Sequence, residues 1–215
     1  MVTISGYRLR RPLPTLGMTE ELGGRRLVAM AATSTMIPLG TEAPDFSLAD
    51  TVTGRTVSLA DFSDKKALLV MFICNHCPYV KHVREELARL GRDYADSELA
   101  IVAINSNDPE AYPEDSPEAM KVEAETYGYV FPYLFDETQE VARAYSAVCT
   151  PDFFLFGPDR KLVYRGQLDS SRPNSGIPVT GEDLRAAIEA ILSDQPVPTD
   201  QHPSMGCSIK WRPAT

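Results

Sequence analysis

The sequence of 215 residues lacks three features, and each absence excludes a class of protein. It has no run of about 18 or more apolar residues, which excludes a membrane-spanning helix. Its four cysteines are too few for a small scaffold stapled by disulfides. It has no basic excess, since its formal net charge is -9. That charge argues against a general binder of nucleic acid or anionic membranes.

The rest of the composition is that of one globular domain with extensions. Apolar residues make up 43% of the chain and charged residues 24%, both ordinary values. Residues 1–37, which contain several arginines, prolines and glycines, are predicted to form a flexible N-terminal extension. Residues 38–192 are predicted to form the domain, and the Pro-rich tail 193–215 is predicted to dock on it. The absence of a clear signal peptide predicts a cytoplasmic protein.

Apolar patterning predicts a strand–helix–strand unit in the middle of the chain. Residues 67–73 are continuously apolar, the pattern of a strand buried on both faces. From Cys77 onward, apolar residues recur on one helical stripe, which predicts a helix. Residues 99–104 form a second apolar run, and the two strands are expected to pair in parallel through the helical crossover.

Shorter elements are predicted on either side of this unit. Thr53-Gly54 indicates a hairpin over residues 46–58, and Ser116-Pro117 is a typical helix start. The other predictions are a strand at 133–135, a helix after a capping box at 136–139, strands at 152–156 and 162–165, and a helix after 180–183. Together they predict an α/β fold with a mixed central sheet, helices on both faces and an N-terminal β-hairpin.

The motif Cys74-Asn75-His76-Cys77-Pro78 lies where the first apolar strand meets the helix. Two thiols one helical turn apart can form and break a disulfide, and helix-terminal N–H groups can stabilise a thiolate at the first of them. A metal site and two unrelated core cysteines are the alternatives. Zinc usually needs four ligands and no second C-x-x-C exists, but a copper site with Cys74, Cys77 and a histidine remains open.

Together with Thr150-Pro151 before the later hairpin, this motif resembles the thioredoxin fold. The opening hairpin and the insertion after the second strand resemble its redoxin (AhpC/TSA-like) branch, which includes peroxiredoxins and thiol-disulfide oxidoreductases. The residues around the dithiol, 72–82, and the tail segment 206–211 resemble a bacterial subgroup of thioredoxin-family proteins with a C-N-H-C motif. The resemblance covers roughly residues 38–211.

The resemblance implies a role for each of five residues. Cys74 is the attacking thiol, and Cys77 resolves the mixed disulfide. His76 favours the thiolate of Cys74. Pro151, preceded by Thr150, is a cis-proline that presents a backbone edge to an extended substrate. The implied partners are a disulfide-containing protein or small thiol as substrate and an electron-donating reductase or thiol, with neither an organic cofactor nor a metal.

Two departures from related patterns affect the chemistry. The buried acidic residue of thioredoxins falls here near Leu68, so proton transfer to Cys77 is expected from Glu85, Asp152 or water. Peroxiredoxins carry Pro and Thr seven and three residues before the reactive cysteine, and this chain has Ala67 and Met71 there. The sequence therefore predicts a thiol-disulfide oxidoreductase, with a thiol peroxidase and a copper or zinc carrier as alternatives.

Two further cysteines could take part. Cys149 lies two residues before Pro151, where it is either a third redox thiol or a small buried core residue. Cys207 lies in the tail, among Pro203, Gly206 and Trp211. It could bond Cys149, reach the dithiol as an extra resolving thiol, or be a docked structural thiol.

Overall fold

The computed structural model describes residues 31–213 in full, and upstream of them two backbone segments. These segments, β1 (Thr19–Leu22) and β2 (Arg25–Val28), form an antiparallel hairpin within a separate unit of residues 1–30. The fold and site described below belong to the second unit, which begins at Ala31.

The second unit contains ten strands and four α-helices among its described residues. The strands are β3 (Ala31–Thr33), β4 (Ser47–Asp50), β5 (Thr56–Ser58), β6 (Ala67–Phe72), β7 (Leu99–Asn105), β8 (Tyr133–Phe135), β9 (Cys149–Thr150), β10 (Asp152–Phe156), β11 (Leu162–Gly166) and β12 (Met205–Ser208). The helices are α1 (Pro78–Asp93), α2 (Pro117–Tyr127), α3 (Glu140–Ala144) and α4 (Glu182–Leu192).

Seven strands form the mixed central sheet, in the order β11-β10-β6-β7-β8-β4-β5. Strands β6, β7 and β8 are parallel to one another, and the remaining neighbours pair antiparallel. Every residue of β6 and β7 is buried, as their unbroken apolar runs predicted. The predicted parallel pair and the two predicted hairpins are confirmed.

The two faces of the sheet bury different side chains of the same strand. Leu69 and Met71 of β6 pack with apolar residues of α1, α2 and α4, whereas Leu68 and Val70 pack with those of α3 on the other face. The alternation follows from the two-residue period of a strand. Helices therefore cover both faces, as predicted.

Helix α1 begins directly after the dithiol motif, because Cys77 is its N-cap residue and Pro78 its first residue. Its buried stripe includes Val80, Val83 and Leu87, which pack under β6. The helix continues through Gly91 to Asp93. The strand and the helix thus hold Cys74 and Cys77 at one end of the parallel strands.

The start of α3 differs from the prediction. A capping box at 136–139 was expected, but the N-cap residue is Gln139, at φ 63°, and it makes no side-chain cap. Asp136 instead accepts from the N–H groups of Val141 and Ala142, at 3.4 and 2.9 Å. The carboxylate still satisfies N–H groups of the first turn, although the helix starts later than the pattern indicated.

The tail 193–215 contains β12, the middle strand of a second sheet with the order β3-β12-β9. Strand β12 pairs antiparallel with β3 on one side and with β9 on the other. The prediction placed residues 31–37 in the N-terminal extension, but Ala31–Thr33 form β3 and pair with the tail. The pattern of the sequence gave no sign of this pairing because both strands are short and isolated.

Within the described part of the chain, no helix combines the length and the apolar character needed to cross a membrane.

Candidate active site

Both cysteines of the motif converge on Thr150. The Cys74 Sγ lies 3.1 Å from the Thr150 hydroxyl oxygen, and the Cys77 Sγ, in its thiol form, donates to the Thr150 carbonyl at 3.2 Å. The Thr150–Pro151 peptide bond is cis. Four of the residues singled out in the sequence, Cys74, Cys77, Thr150 and Pro151, therefore meet at one place. The side chains of Cys74 and Cys77 are buried, with 1% and 0% of their surface exposed.

His76, the fifth predicted residue, is held by a buried carboxylate. Its Nδ1 lies 2.5 Å from Oδ2 of Asp115, which also accepts from Asn107 Nδ2 at 2.8 Å. The other carboxylate oxygen, Oδ1, accepts from the backbone N–H groups of Asn75 and His76. The His76 ring also stacks on Tyr112, with ring centroids 4.7 Å apart. With Nδ1 donating to the carboxylate, Nε2 is the ring nitrogen left to exchange a proton.

The environment of Asp115 favours its charged form. Burial raises the pKa of this carboxyl, but hydrogen bonds from His76, Asn107 and the Asn75 N–H outweigh that effect, so its pKa lies below the usual value. The carboxylate is wholly buried, and its four N–H donors fill the acceptor capacity of its two oxygens. Asp115 therefore fixes both the backbone of the motif and the orientation of His76.

Asn75 joins the motif to two more elements. Its Oδ1 accepts from the Tyr133 hydroxyl at 2.9 Å, and its Nδ2 donates to the carbonyl of Glu114 at 2.8 Å. Sequence reasoning missed Asp115, Asn107 and Tyr133 as parts of this site. Asn107 and Asp115 lie in the insertion after the second strand, and this insertion was the only signal in the sequence that could have pointed to these two residues.

The pKa values of the two motif thiols are shifted in opposite directions. Burial raises the pKa of Cys74, and the hydrogen bond to Cys77 and the charges of Asp115 and Cys77 raise it further. Burial also raises the pKa of Cys77, but hydrogen bonds from the Cys207 and Cys74 thiols and from the Val80 N–H outweigh it, so this pKa is lowered.

The backbone at Thr150 is already paired. The resemblance implied that this edge is offered to an extended substrate, but Thr150 pairs with Cys207 of the chain's own β12. Cys207 is 2% exposed and lies in the same buried cluster as Cys74 and Cys77. All four cysteines are free thiols, so the Cys149–Cys207 bond considered from the sequence is not formed.

Comparison with known proteins identifies the family. The model of the AhpC/TSA family matches residues 39–165, more than half of the chain. The chain belongs to the AhpC/TSA family. Among curated relatives, thiol-disulfide oxidoreductase ResA from Geobacillus thermodenitrificans is 28% identical over 161 residues, which cover 73% of this chain and 80% of the relative.

Two solved structures share the fold of this chain. An uncharacterized conserved protein from Geobacillus kaustophilus is 60% identical, with a TM-score of 0.86, and the match covers 88% of this chain and 100% of the other. The thioredoxin domain of a thiol-disulfide oxidoreductase from Bacteroides vulgatus is 22% identical, with a TM-score of 0.57, and the match covers 73% and 99% of the two chains. The second match confirms the predicted thioredoxin-like fold of this AhpC/TSA protein.

The two carboxylates named from the sequence as proton donors to Cys77, Glu85 and Asp152, make no hydrogen bond to it in the described part of this AhpC/TSA chain. Glu85 is exposed on α1. Asp152 is buried and accepts from Ser34 Oγ at 2.6 Å and from Arg165 Nη2 at 3.1 Å. Burial raises the pKa of Asp152, and the neighbouring charge of Arg165 lowers it by less. The carboxylate that hydrogen-bonds to the dithiol motif is that of Asp115.

A metal ion could be held by Cys74, His76 and Asp115, whose ligand atoms all lie within 4.8 Å of one another. This set differs from the predicted one, because Asp115 stands in place of Cys77. The four N–H donors on the Asp115 carboxylate compete with such an ion, which would have to displace the bond from His76 Nδ1. The donors present therefore fit a positioning carboxylate better than a metal ligand.

Proposed function

We propose that this protein is a thiol-disulfide oxidoreductase that reduces or exchanges disulfides with Cys74 and Cys77. The observation that carries the proposal is the convergence of both thiols on the hydroxyl and the carbonyl of Thr150. Membership of the AhpC/TSA family and the relative named thiol-disulfide oxidoreductase ResA support it. The substrate would be a disulfide in a protein or small molecule, and the electron donor a thiol or a reductase. The cytoplasmic location stays a prediction.

The first step is attack by Cys74 on one sulfur of the substrate disulfide. As the new S–S bond forms, the Cys74 proton passes to the Cys77 sulfur, whose lowered pKa favours the thiolate before the step. The substrate S–S bond breaks and one substrate sulfur leaves as a thiolate. Because Cys74 is buried, a movement that uncovers its sulfur precedes this step.

The second step is attack by Cys77 on the Cys74 sulfur of the mixed disulfide. The Cys74–Cys77 disulfide forms, the second substrate sulfur leaves, and the Cys77 proton goes to a departing thiolate. Two enzyme thiols are thereby oxidised and one substrate disulfide is reduced. His76, oriented by Asp115, supplies a group near Cys74 that can accept or return this proton.

Reduction of insulin disulfides by dithiothreitol, with and without the protein, tests the proposal. We expect the wild-type protein to accelerate the reaction and Cys74→Ser to lower it to the uncatalysed rate. Cys77→Ser should accumulate a mixed disulfide through Cys74, visible as a mass increase of the intact protein. Cys149→Ser is the matched control and should keep the wild-type rate. Full activity of Cys74→Ser would disprove the assignment.

One contact favours a thiol peroxidase as the second candidate. Met71 leaves the peroxiredoxin threonine position without a hydroxyl, but Thr150 brings a hydroxyl within 3.1 Å of the Cys74 sulfur from another element. Stopped-flow oxidation by hydrogen peroxide separates the candidates. A Cys74 rate well above that of a free thiol, falling in Thr150→Val, would favour the peroxidase. A rate equal to that of a free thiol would remove it.

A further inference from the structure

We propose that Cys207 is a third redox thiol, which takes over the disulfide of the site by bonding to Cys77 and so frees Cys74. The proposal deepens the proposed function and rests on it for the origin of the Cys74–Cys77 disulfide. Its structural basis is the position of β12, which carries Cys207 alongside the backbone before Pro151.

The register of the small sheet decides which way Cys207 faces. Residues directly opposite each other in an antiparallel pair point to the same side, and alternate residues point to opposite sides. Cys207 lies opposite Thr150, whose hydroxyl contacts Cys74 and whose carbonyl contacts Cys77. Cys207 is therefore on the side of the dithiol, and it lies in the same buried cluster as Cys74 and Cys77.

The same alternation turns Cys149 away. Cys149 lies opposite Ser208, and its sulfur is near the Ser34 hydroxyl, at 3.8 Å, and the Pro151 carbonyl, at 3.7 Å. Of the two additional cysteines, Cys207 is thus the one whose strand position directs its sulfur to the dithiol.

Gly206 allows β12 to approach the backbone of Thr150 closely. A Cβ atom at this position would lie 1.9 Å from the Thr150 carbonyl oxygen and 2.5 Å from its carbon, both backbone atoms that cannot swing aside. Strand β12 also pairs with β3, where Cys207 lies opposite Ala31. Cys207 is therefore held at a fixed distance from the dithiol by strands on both sides.

The transfer needs no added oxidant or reductant. Cys207 attacks the Cys77 sulfur of the Cys74–Cys77 disulfide, the Cys77–Cys207 bond forms and the Cys74–Cys77 bond breaks. Cys74 leaves as a thiolate and recovers the proton that Cys207 gives up, so one disulfide replaces another. Cys74 becomes a free thiol again, and the electron-donating thiol or reductase then reduces Cys77–Cys207.

Disulfide mapping of the full chain tests this inference without any substrate. The protein is oxidised with one equivalent of diamide, its free thiols are blocked under denaturing conditions, and its peptides are identified by mass spectrometry. We expect Cys74→Ser to contain the Cys77–Cys207 disulfide and the wild type to contain it together with Cys74–Cys77. Cys149→Ser, the matched control, should give the wild-type pattern. Oxidised Cys74→Ser with Cys77 and Cys207 both free would overturn the proposal.

A second variant keeps the thiol but moves it. Gly206→Ala should push β12 away from Thr150 and reduce the yield of Cys77–Cys207 at least tenfold, while Cys74–Cys77 still forms. An undiminished yield would contradict this role of Gly206.

The insulin assay distinguishes the third-thiol proposal from the proposed function. A Cys77–Cys207 disulfide in a protein without insulin activity would overturn the proposed function alone. Activity without that disulfide would overturn the third thiol alone.

Discussion

At the scale of single residues, Asp115 organises the candidate site more than any residue except the two cysteines. It is wholly buried and binds the backbone N–H groups of Asn75 and His76 as well as the His76 ring. A buried carboxylate is tolerated only when such donors replace its lost hydration. Its loss should therefore affect both the stability of the fold and the order of the dithiol motif.

Asp115→Asn should destabilise the protein in a pH-dependent way. The amide cannot accept at its nitrogen, so at pH 7 we expect a loss of about 3 kcal/mol in the free energy of unfolding. Folding lowers the pKa of Asp115, so its contribution is fully present above the unfolded value of about 4 and is lost as pH falls through the folded pKa. The gap between wild type and variant should then shrink toward pH 3.

Urea unfolding at pH 7, 5 and 3 measures this gap directly. Asp64→Asn, at an exposed carboxylate, is the matched control and should change stability little at any of these values. A gap for Asp115→Asn that stays constant or widens as the pH falls would contradict the role given to the carboxylate.

The residues of the site were predictable only where a motif carries them. Cys74 and Cys77 are linked by their spacing, and Thr150-Pro151 by resemblance. Asp115 is bonded to His76 across 39 positions and ends a three-residue 3-10 helix (Pro113–Asp115), which is too short for a periodic pattern to mark which side chains turn inward.

At the scale of elements, Gly91 shows two effects in opposition within α1. Alanine favours a helix interior over glycine by about 1 kcal/mol. A Cβ at this position would, however, lie 2.8 Å from Phe131 Cδ1 and 3.2 Å from Val130 Cγ2. Overpacking of this kind typically costs about 1–3 kcal/mol, and Phe131 is further confined by stacking on Tyr129.

Gly91→Ala should therefore destabilise the protein, by about 1 kcal/mol net, although helix propensity alone predicts a gain. The shift in the thermal unfolding midpoint measures the effect. In a Phe131→Leu background the ring is absent, so the same substitution should become neutral or stabilising. Destabilisation of equal size in both backgrounds would show that the contact with Phe131 is not the cause.

The elements that the sequence predicts well are those that local patterning determines. Strands β6 and β7 are unbroken apolar runs, and α1 has a clear apolar stripe. Strands β9 and β12 are only two and four residues long, and their pairing depends on the tail returning to the strand before Pro151. Short strands of this kind are stabilised by tertiary contacts, which a local pattern does not contain.

At the scale of the whole second unit, the tail joins parts of the chain that are far apart in sequence. Its strand β12 links β3 to β9, and beyond it Lys210 exchanges hydrogen bonds with the loop after β7. The Lys210 N–H donates to Asn107 Oδ1 at 2.8 Å, and the Lys210 carbonyl accepts from the Asp108 N–H at 3.0 Å. Asn107 also donates to Asp115, so the tail and the dithiol motif are connected through one asparagine.

Gln139, at the start of α3, also hydrogen-bonds to both the tail and the loop after β7. Its Nε2 donates to the carbonyls of Ser106 and Lys210, at 2.7 and 2.9 Å, and its Oε1 accepts from the Arg212 N–H at 2.9 Å. The side chain is 2% exposed, so water does not readily replace these bonds. Gln139→Ala should free the end of the tail locally, without unfolding the central sheet.

Native-state hydrogen exchange distinguishes this local effect from a general one. In Gln139→Ala we expect the amides of Cys207, Ile209 and Lys210 to exchange at least tenfold faster, while those of β6 and β7 keep their protection relative to global stability. Glu137→Ala, at an exposed position of the same segment, is the control and should leave the tail protected. Unchanged exchange of the tail in Gln139→Ala would mean that β12 is held by its strand pairing alone. Equally faster exchange of the amides of the tail and of β6 and β7 would mean that the tail and the central sheet open together. Cys207 could then separate from Cys77 only when the second unit unfolds.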